Sequence, residues 1–237
     1  FSSPHILRFH ERIWINGEES SDALLEGSHE KLYTILGKEV SEGLSYFEYT
    51  TLLALMAFED LDLIVLEAGL GGEHDATNVC DKVLSIITPI GLDHQAFLGE
   101  TIEAIASTKI NSIQTQMLLA PQIDDEVIQV AQKIAAQKGA NLFYAPLPNE
   151  TLKHFAKKKG WSTYLAQNAS VALQALDILG IEYTINRLED LSLFGRFYPL
   201  TDNIRIDVGH NTLAAQAIEK ALDEKVVLVY NSLDDKD

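Results

Sequence analysis

DLIVLEAGLGGEHDATNVCDKVLSIIT, residues 62–88, decides how the chain folds. Its two ends, DLIVLE (62–67) and VLSIIT (83–88), are continuous apolar runs rather than alternating ones, the pattern of strands covered on both faces. Such strands belong to a parallel sheet inside an α/β layer. Between them Gly69, Gly71 and Gly72 crowd into four positions, which invites a phosphate-cradle reading. A dinucleotide fingerprint needs G-x-G-x-x-G to open a helix. Here position 74 is His, and the next strand follows Asp75 too closely for a crossover helix. No Gly-Lys-Ser or Gly-Lys-Thr occurs in the chain, so a Walker loop is excluded as well. The glycines are better read as bare backbone that lets the chain turn tightly between two carboxylates, Glu67 and Asp75.

In a parallel sheet the ligand crevice lies beyond the C-terminal strand ends. Glu67 and Asp75 are expected there, and the loop PIGLDHQ (89–95) is expected to bring Asp93 and His94 to the same rim. Carboxylates, a histidine and a hydroxyl suit a hard divalent ion that keeps waters for substrate phosphates.

Further along, Thr101 caps a helix whose buried face carries Ile102, Ile105, Ala106, Ile110 and Ile113, with Lys109 on or beside it. MLLAP (117–121) is expected as a strand, DDEVIQVAQKIAAQKG (124–139) as a capped helix ending at Gly139, and NLFYAP (141–146) as a strand. TYLAQNASVALQALDILG (163–180) reads as a longer helix closing at Gly180. On the N-terminal side, a helix is expected over about 22–36, stopping near Gly37, and a buried one over 46–59. The first 17 residues read as extended chain ending in the Asn16-Gly17 turn. After YTINRLEDLS (183–192) a new unit is expected: strand NIRIDV (203–208), helix NTLAAQAIEKALDE (211–224), strand KVVLVYNS (225–232). The βαβα rhythm predicts a doubly wound α/β fold, a mainly parallel sheet flanked by helices, followed by the start of a second, Rossmann-like α/β domain.

Composition limits the partners. Eighteen basic residues face thirty-five acidic ones, a net charge of −17, which repels nucleic acid and anionic lipid. Any phosphate-bearing substrate therefore needs a local cation or metal. Cys80 is the single cysteine, so neither an internal disulfide nor a thiolate metal cluster can form, which suits a cytoplasmic protein. No apolar run approaches the roughly 20 residues that span a bilayer.

LEAGLGGEHDATN (66–78) and ITPIGLDHQAFLGETIEAIASTK (87–109) resemble the core of the folylpolyglutamate and dihydrofolate synthases of the Mur ligase superfamily. FSSPHILRFHERIWING (1–17), SYFEYTTLLAL (45–55), QNASVAL (167–173), FGRF (194–197), IDVGHN (206–211) and LDDKD (233–237) are similar to the same family, in the same order. The resemblance implies a central ATPase domain over 1–190 and the start of a C-terminal ligase domain over 191–237. It further implies a fragment, with the family's P-loop lying upstream of Phe1, and a chain inactive by itself. It makes Ser3, Glu67 and His94 magnesium ligands, and Ser45, Tyr46, Phe47, Glu48, His74, Asp75 and Ala76 the pterin pocket. Asn168, Arg196, Asp207 and His210 would attend ATP. Lys109 falls on the lysine that this family carbamylates; Lys109 and His94 are the implied catalytic pair. Around Lys109 the chain reads Thr108-Lys109-Ile110-Asn111 where the family usually has Glu-Lys-Ala-Gly.

The implied reaction is ATP-dependent. A carboxylate of dihydropteroate or of a folate glutamate attacks the γ-phosphate, and L-glutamate's amine displaces phosphate from the acyl phosphate. The expected partners are these small molecules, without nucleic acid or membrane, and the expected state is a monomer. Two other readings stay open from the residues alone: a Mur-type ligase of cell-wall precursors, and a non-catalytic relative that serves as a binding module.

Overall fold

A computed structural model describes residues 1–222 and 225–230 of the chain. The chain divides into two compact units, Phe1–Asp81 and a second beginning at Lys82.

The first unit opens with a 3-10 turn, Phe9–Arg12, and a short antiparallel hairpin of β1 (Trp14–Ile15) and β2 (Glu18–Glu19), joined by the expected Asn16-Gly17 turn. Helix α1 (Asp22–Gly43) starts on the Ser21 cap and leaves helical geometry at Gly37, where the sequence placed its end, then continues for a last short stretch. Helix α2 (Tyr46–Ala57) starts on Ser45. Only one side of α2 is covered, with Thr50, Thr51, Leu53 and Ala54 buried while Tyr46 stands exposed. The core of this unit joins Phe1, Ile13, Ala54 and Phe58, with Phe47, Leu61 and Leu66 packed at its edge.

The expected strand at 62–67 is not found as such. Residues 62–67 are extended but join no ladder, and Leu63, Ile64 and Val65 are exposed. Its described backbone partner is the chain start: Phe1 N donates to the Val65 carbonyl at 2.8 Å, and Glu67 N to the Phe1 carbonyl at 3.0 Å. An apolar run signals burial only where neighbouring strands and helices exist to cover it.

The second unit is the α/β layer. Strands β3 (Ser85–Ile87), β4 (Gln116–Leu119) and β5 (Asn141–Tyr144) form a parallel sheet in that order, with Ser85 beside Met117 and Met117 beside Leu142. The connections hold α3 (Gln95–Leu98), α4 (Ile102–Ile110) and α5 (Asp125–Lys138). The caps are those the sequence marked: Thr101 accepts from Ala104 N, Asp124 from Glu126 N, and Gly139 ends α5. One face of the sheet buries Ile87, Met117 and Leu119 against Ile105, Ile110, Val127 and Ile134. The other buries Leu118 against Val171 and Ala175 of helix α7 (Thr163–Leu179). β4 is thus covered on both faces, as its apolar run requires, whereas Ile86 in β3 stays exposed.

Helix α6 (Glu150–Lys159), which the sequence reading passed over, packs Leu152 and Phe155 against Ala169. Strands β6 (Tyr198–Thr201) and β7 (Ile204–Ile206) then form an antiparallel hairpin. The two residues between them cannot make the crossover that parallel pairing needs. Helix α8 (Thr212–Lys220) follows, capped by Asn211. Of the expected final strand, residues 225–230 are exposed and form no ladder; 223–224 and 231–237, including LDDKD, lie outside the described residues. Among the described residues no helix is long and apolar enough to cross a membrane.

Candidate active site

In the first unit the glycine loop forms one wall of a compact cluster. Gly69 lies flat against the Phe47 ring: a Cβ there would come within 2.7 Å of its Cζ. Gly71 sits at φ +69°, the left-handed region that side chains disfavour. The loop is closed by Asp75, whose carboxylate accepts Leu70 N at 2.9 Å, Thr77 N at 2.9 Å and the Thr77 hydroxyl at 2.6 Å. These bonds cap the 3-10 turn Ala76–Val79 and use three of the roughly four acceptor positions of a carboxylate. His74 is exposed and Ala76 half-buried.

Glu67 leaves the extended run toward the chain start. Its Oε2 accepts the backbone N–H of Ser3 at 3.0 Å, so the two expected magnesium ligands of this unit are neighbours. That bond occupies one acceptor position and leaves others, with the Ser3 hydroxyl nearby in sequence. Oxygen donors of this kind fit a hard divalent ion. The third expected ligand, His94, belongs to the second unit.

Ser45 and Glu48 form a reciprocal capping box, with Ser45 Oγ accepting Glu48 N and Glu48 Oε2 accepting Ser45 N at 2.7 Å. The expected pocket residues Ser45 and Glu48 thereby set the start of α2. Phe47 half-buries between the Phe1 ring, 5.8 Å away, and Gly69.

Two residues of this unit escaped the sequence reading. Arg12 is buried at 7% exposure; its Nε donates to His5 Nδ1 at 2.9 Å and its guanidinium lies 5.4 Å from the Tyr46 ring centre. Its Nη1 is buried without a hydrogen-bond partner, and no described carboxylate pairs with it. Glu11 gathers the backbone N–H groups of Ile6, Leu7 and Arg8 at 2.7–2.8 Å, which hold its carboxyl below the usual range, Ile6 most of all. The only available signal was charge amid β-forming residues in HILRFHERIW, which does not distinguish a solvated face from a buried site.

The second unit carries the remaining expected residues. Lys109 is half-buried in the last turn of α4, flanked by buried Ala106 and Ile110. Asn168 is exposed on α7, and Arg196 is exposed before β6. Asp207 is a junction: its Oδ2 accepts the Tyr164 hydroxyl at 2.6 Å and Phe197 N at 2.7 Å, and its Oδ1 accepts Gly209 N at 2.7 Å. Burial, then the Asp207 carboxylate, pushes the Tyr164 phenol well above its ordinary pKa. Asp93, His94 and His210 come together, with donor atoms all within 4.8 Å of one another.

No protein-family model matches the chain. The Haemophilus influenzae dihydrofolate synthase/folylpolyglutamate synthase is 30% identical over 278 residues, which take in 100% of this chain and 63% of that protein. The chain belongs to the dihydrofolate synthase/folylpolyglutamate synthase family. It spans about three-fifths of the length of the curated relatives it matches. The crystal structure of Helicobacter pylori folylpolyglutamate synthetase superposes on the whole chain with a TM-score of 0.78 at 38% identity, over 62% of that structure. A bifunctional folylpolyglutamate synthase/dihydrofolate synthase solved with Mn, AMPPNP and L-glutamate bound matches 92% of the chain and 57% of its own, at 29% identity and a TM-score of 0.72. The fold class of this chain is that of its relatives.

Proposed function

We propose that the chain works within an ATP-dependent carbon–nitrogen ligase that adds L-glutamate to dihydropteroate, to folate glutamates, or to both. The observation that carries this reading is the Ser3–Glu67 contact, in which the Ser3 backbone N–H donates to Glu67 Oε2 at 3.0 Å and so sets a serine beside a carboxylate. Family membership and the metal, nucleotide analogue and glutamate bound by a relative support it.

Ser3, Glu67 and His94 would hold Mg²⁺, which when bound supplies positive charge to the phosphates of ATP. The chain's own groups position and neutralise. Arg12, a buried cation without a counter-ion among the described residues, offers charge to an anionic substrate. Phe47, fixed against Gly69, presents an aromatic edge to the pterin, and Asp75 keeps an acceptor position for its N–H groups. Asp207, knotted to Tyr164 and Phe197, fixes the segment that carries His210 and Arg196 toward ATP, with Asn168 contributing from α7. Lys109 is the group to be carbamylated, turning a cation into a carboxylate. We also infer a central domain over 1–190 and a C-terminal one from 191, acting as a monomer in the cytoplasm.

The test is Mg-ATP-dependent glutamate ligation by the full-length protein, with dihydropteroate, tetrahydrofolate and a cell-wall precursor offered separately. The first two are expected to give product. Glu67→Gln should lower turnover by about two orders of magnitude with the fold intact. Product from the cell-wall precursor alone, or full activity in the variant, would reject the reading.

A further inference from the structure

We propose that Tyr164 is a positioning residue for the nucleotide: its hydroxyl holds Asp207, and through Asp207 the turn that carries Arg196, in fixed relation to Asn168 on α7. The inference rests on the reading that Asn168, Arg196 and Asp207 attend ATP, and adds what keeps them together. Tyr164 and Asn168 are four positions apart in α7, so they share a face of the helix one turn from each other. The Tyr164 hydroxyl donates to Asp207 Oδ2 at 2.6 Å, across 43 positions of sequence. Tyr164 and Asp207 are both half-buried, whereas Asn168 and Arg196 stand exposed. The bond is partly sheltered from water, and the groups it spaces are open to a ligand.

Arg196 is held through its neighbours. Gly195 has φ +76° and Phe197 φ +48°, left-handed backbone that a phenylalanine rarely adopts. Two bonds from residues 207 and 208 keep the turn in that form: Phe197 N donates to Asp207 Oδ2 at 2.7 Å, and Val208 N to the Gly195 carbonyl at 2.9 Å. Gly209 N donates to Asp207 Oδ1 at 2.7 Å. Three of the roughly four acceptor positions of the carboxylate are thus filled from within the chain, and it cannot turn without breaking a bond. Of these three donors only the Tyr164 hydroxyl comes from α7, which makes it the tie between the helix of Asn168 and the turn of Arg196. Burial, then the Asp207 carboxylate, keeps the phenol protonated and so a donor, while the Arg196 charge works the other way and therefore stands within electrostatic reach of the same hydroxyl. A tie of this kind acts before the nucleotide arrives. Without it Asp207 and Arg196 must be ordered against Asn168 during binding, at a cost in affinity, but once the nucleotide is seated the same groups are in place. Affinity falls, and turnover at saturating ATP holds.

The experiment compares the full-length protein with its Tyr164→Phe variant, which keeps the ring and removes only the hydroxyl. AMPPNP binding is measured by calorimetry, and glutamate ligation at steady state. The Kd for AMPPNP and the KM for ATP are expected to rise about tenfold, as for loss of one hydrogen bond to a charged acceptor. The kcat and the KM values for glutamate and the pteroate substrate should stay within about twofold of the parent's. Tyr183→Phe is the control: it removes an exposed tyrosine hydroxyl 3.5 Å from Asp177 Oδ2 and should leave the Kd unchanged. An unchanged Kd in Tyr164→Phe, an equal rise in Tyr183→Phe, or a loss spread evenly over kcat and every KM would overturn the role of Tyr164, while ligation by the parent leaves the proposed function standing. A parent that binds no AMPPNP would overturn both.

Discussion

The carboxylate of Glu11 organises the segment that precedes it, because three consecutive N–H groups, of Ile6, Leu7 and Arg8, have it as acceptor. Those bonds favour the charged form, so its folded pKa lies below the unfolded value near 4.5. For a depressed carboxylate the stabilisation is fully present above the unfolded pKa and is lost as pH falls through the folded one. Hydrogen exchange at Ile6–Arg8 is therefore expected to lose protection at pH values below about 4.5, ahead of the buried sheet amides. Glu11→Gln should show the same loss at neutral pH; protection that survives both treatments would contradict this role. Neither Glu11 nor Arg12 stood out in the sequence, because neither a buried guanidinium nor a carboxylate that gathers backbone N–H groups has a one-dimensional signature. Glu67 and His94 stand out in the sequence because each follows an apolar run, whereas Ser3 and Asp207 are singled out only by the resemblance to family motifs. The structure adds what pattern cannot: Ser45 and Glu48 cap each other, Asp75 is largely occupied by its own loop, and Asp93 is bonded to Asn211, 118 positions away.

At the scale of elements, the glycine loop meets α2 where Gly69 lies on Phe47. A methyl group at 2.7 Å from the ring must displace it, and the ring is backed by Phe1 in the core of this unit. Overpacking of this kind costs about 1–3 kcal/mol. Gly69→Ala should lower stability in denaturant by that amount, and adding Phe47→Leu should recover part of it; strictly additive effects would show that the two do not touch. The same unit explains the main error of the sequence reading. DLIVLE has the composition of a buried strand, but whether it is covered depends on neighbours that its own residues do not encode. The helices were legible because their stop and start signals are local: Thr101, Asp124, Gly139 and Gly180 each act within a few residues of themselves. Helix α6 carries equally local signals, the Asn149 cap and Gly160, but its lysine-rich face hides a short apolar stripe of Leu152, Phe155 and Ala156.

For the molecule as a whole the dominant fact is the charge of −17. A pair of like charges about 10 Å apart in water repels by about 0.4 kcal/mol, and with seventeen uncompensated charges such pairs are many. Opposing this are exposed ion pairs such as Lys31–Glu59, Lys38–Glu42 and Lys153–Glu150. Exposed pairs contribute about 0–1 kcal/mol each, and they are local, whereas the repulsion acts across the surface. Salt weakens both, so the sign of its effect follows the larger, which is repulsion. Raising ionic strength from 0.01 M to 0.15 M shortens the screening length from about 30 Å to about 8 Å, removing repulsion between distant carboxylates while leaving contact pairs partly intact. The melting temperature is therefore expected to rise with sodium chloride, most steeply over that interval, and to rise equally with potassium chloride because no specific site is involved. Differential scanning calorimetry at fixed pH measures it. A melting temperature that falls with either salt would mean that the local ion pairs, rather than the net charge, govern the electrostatics of this chain.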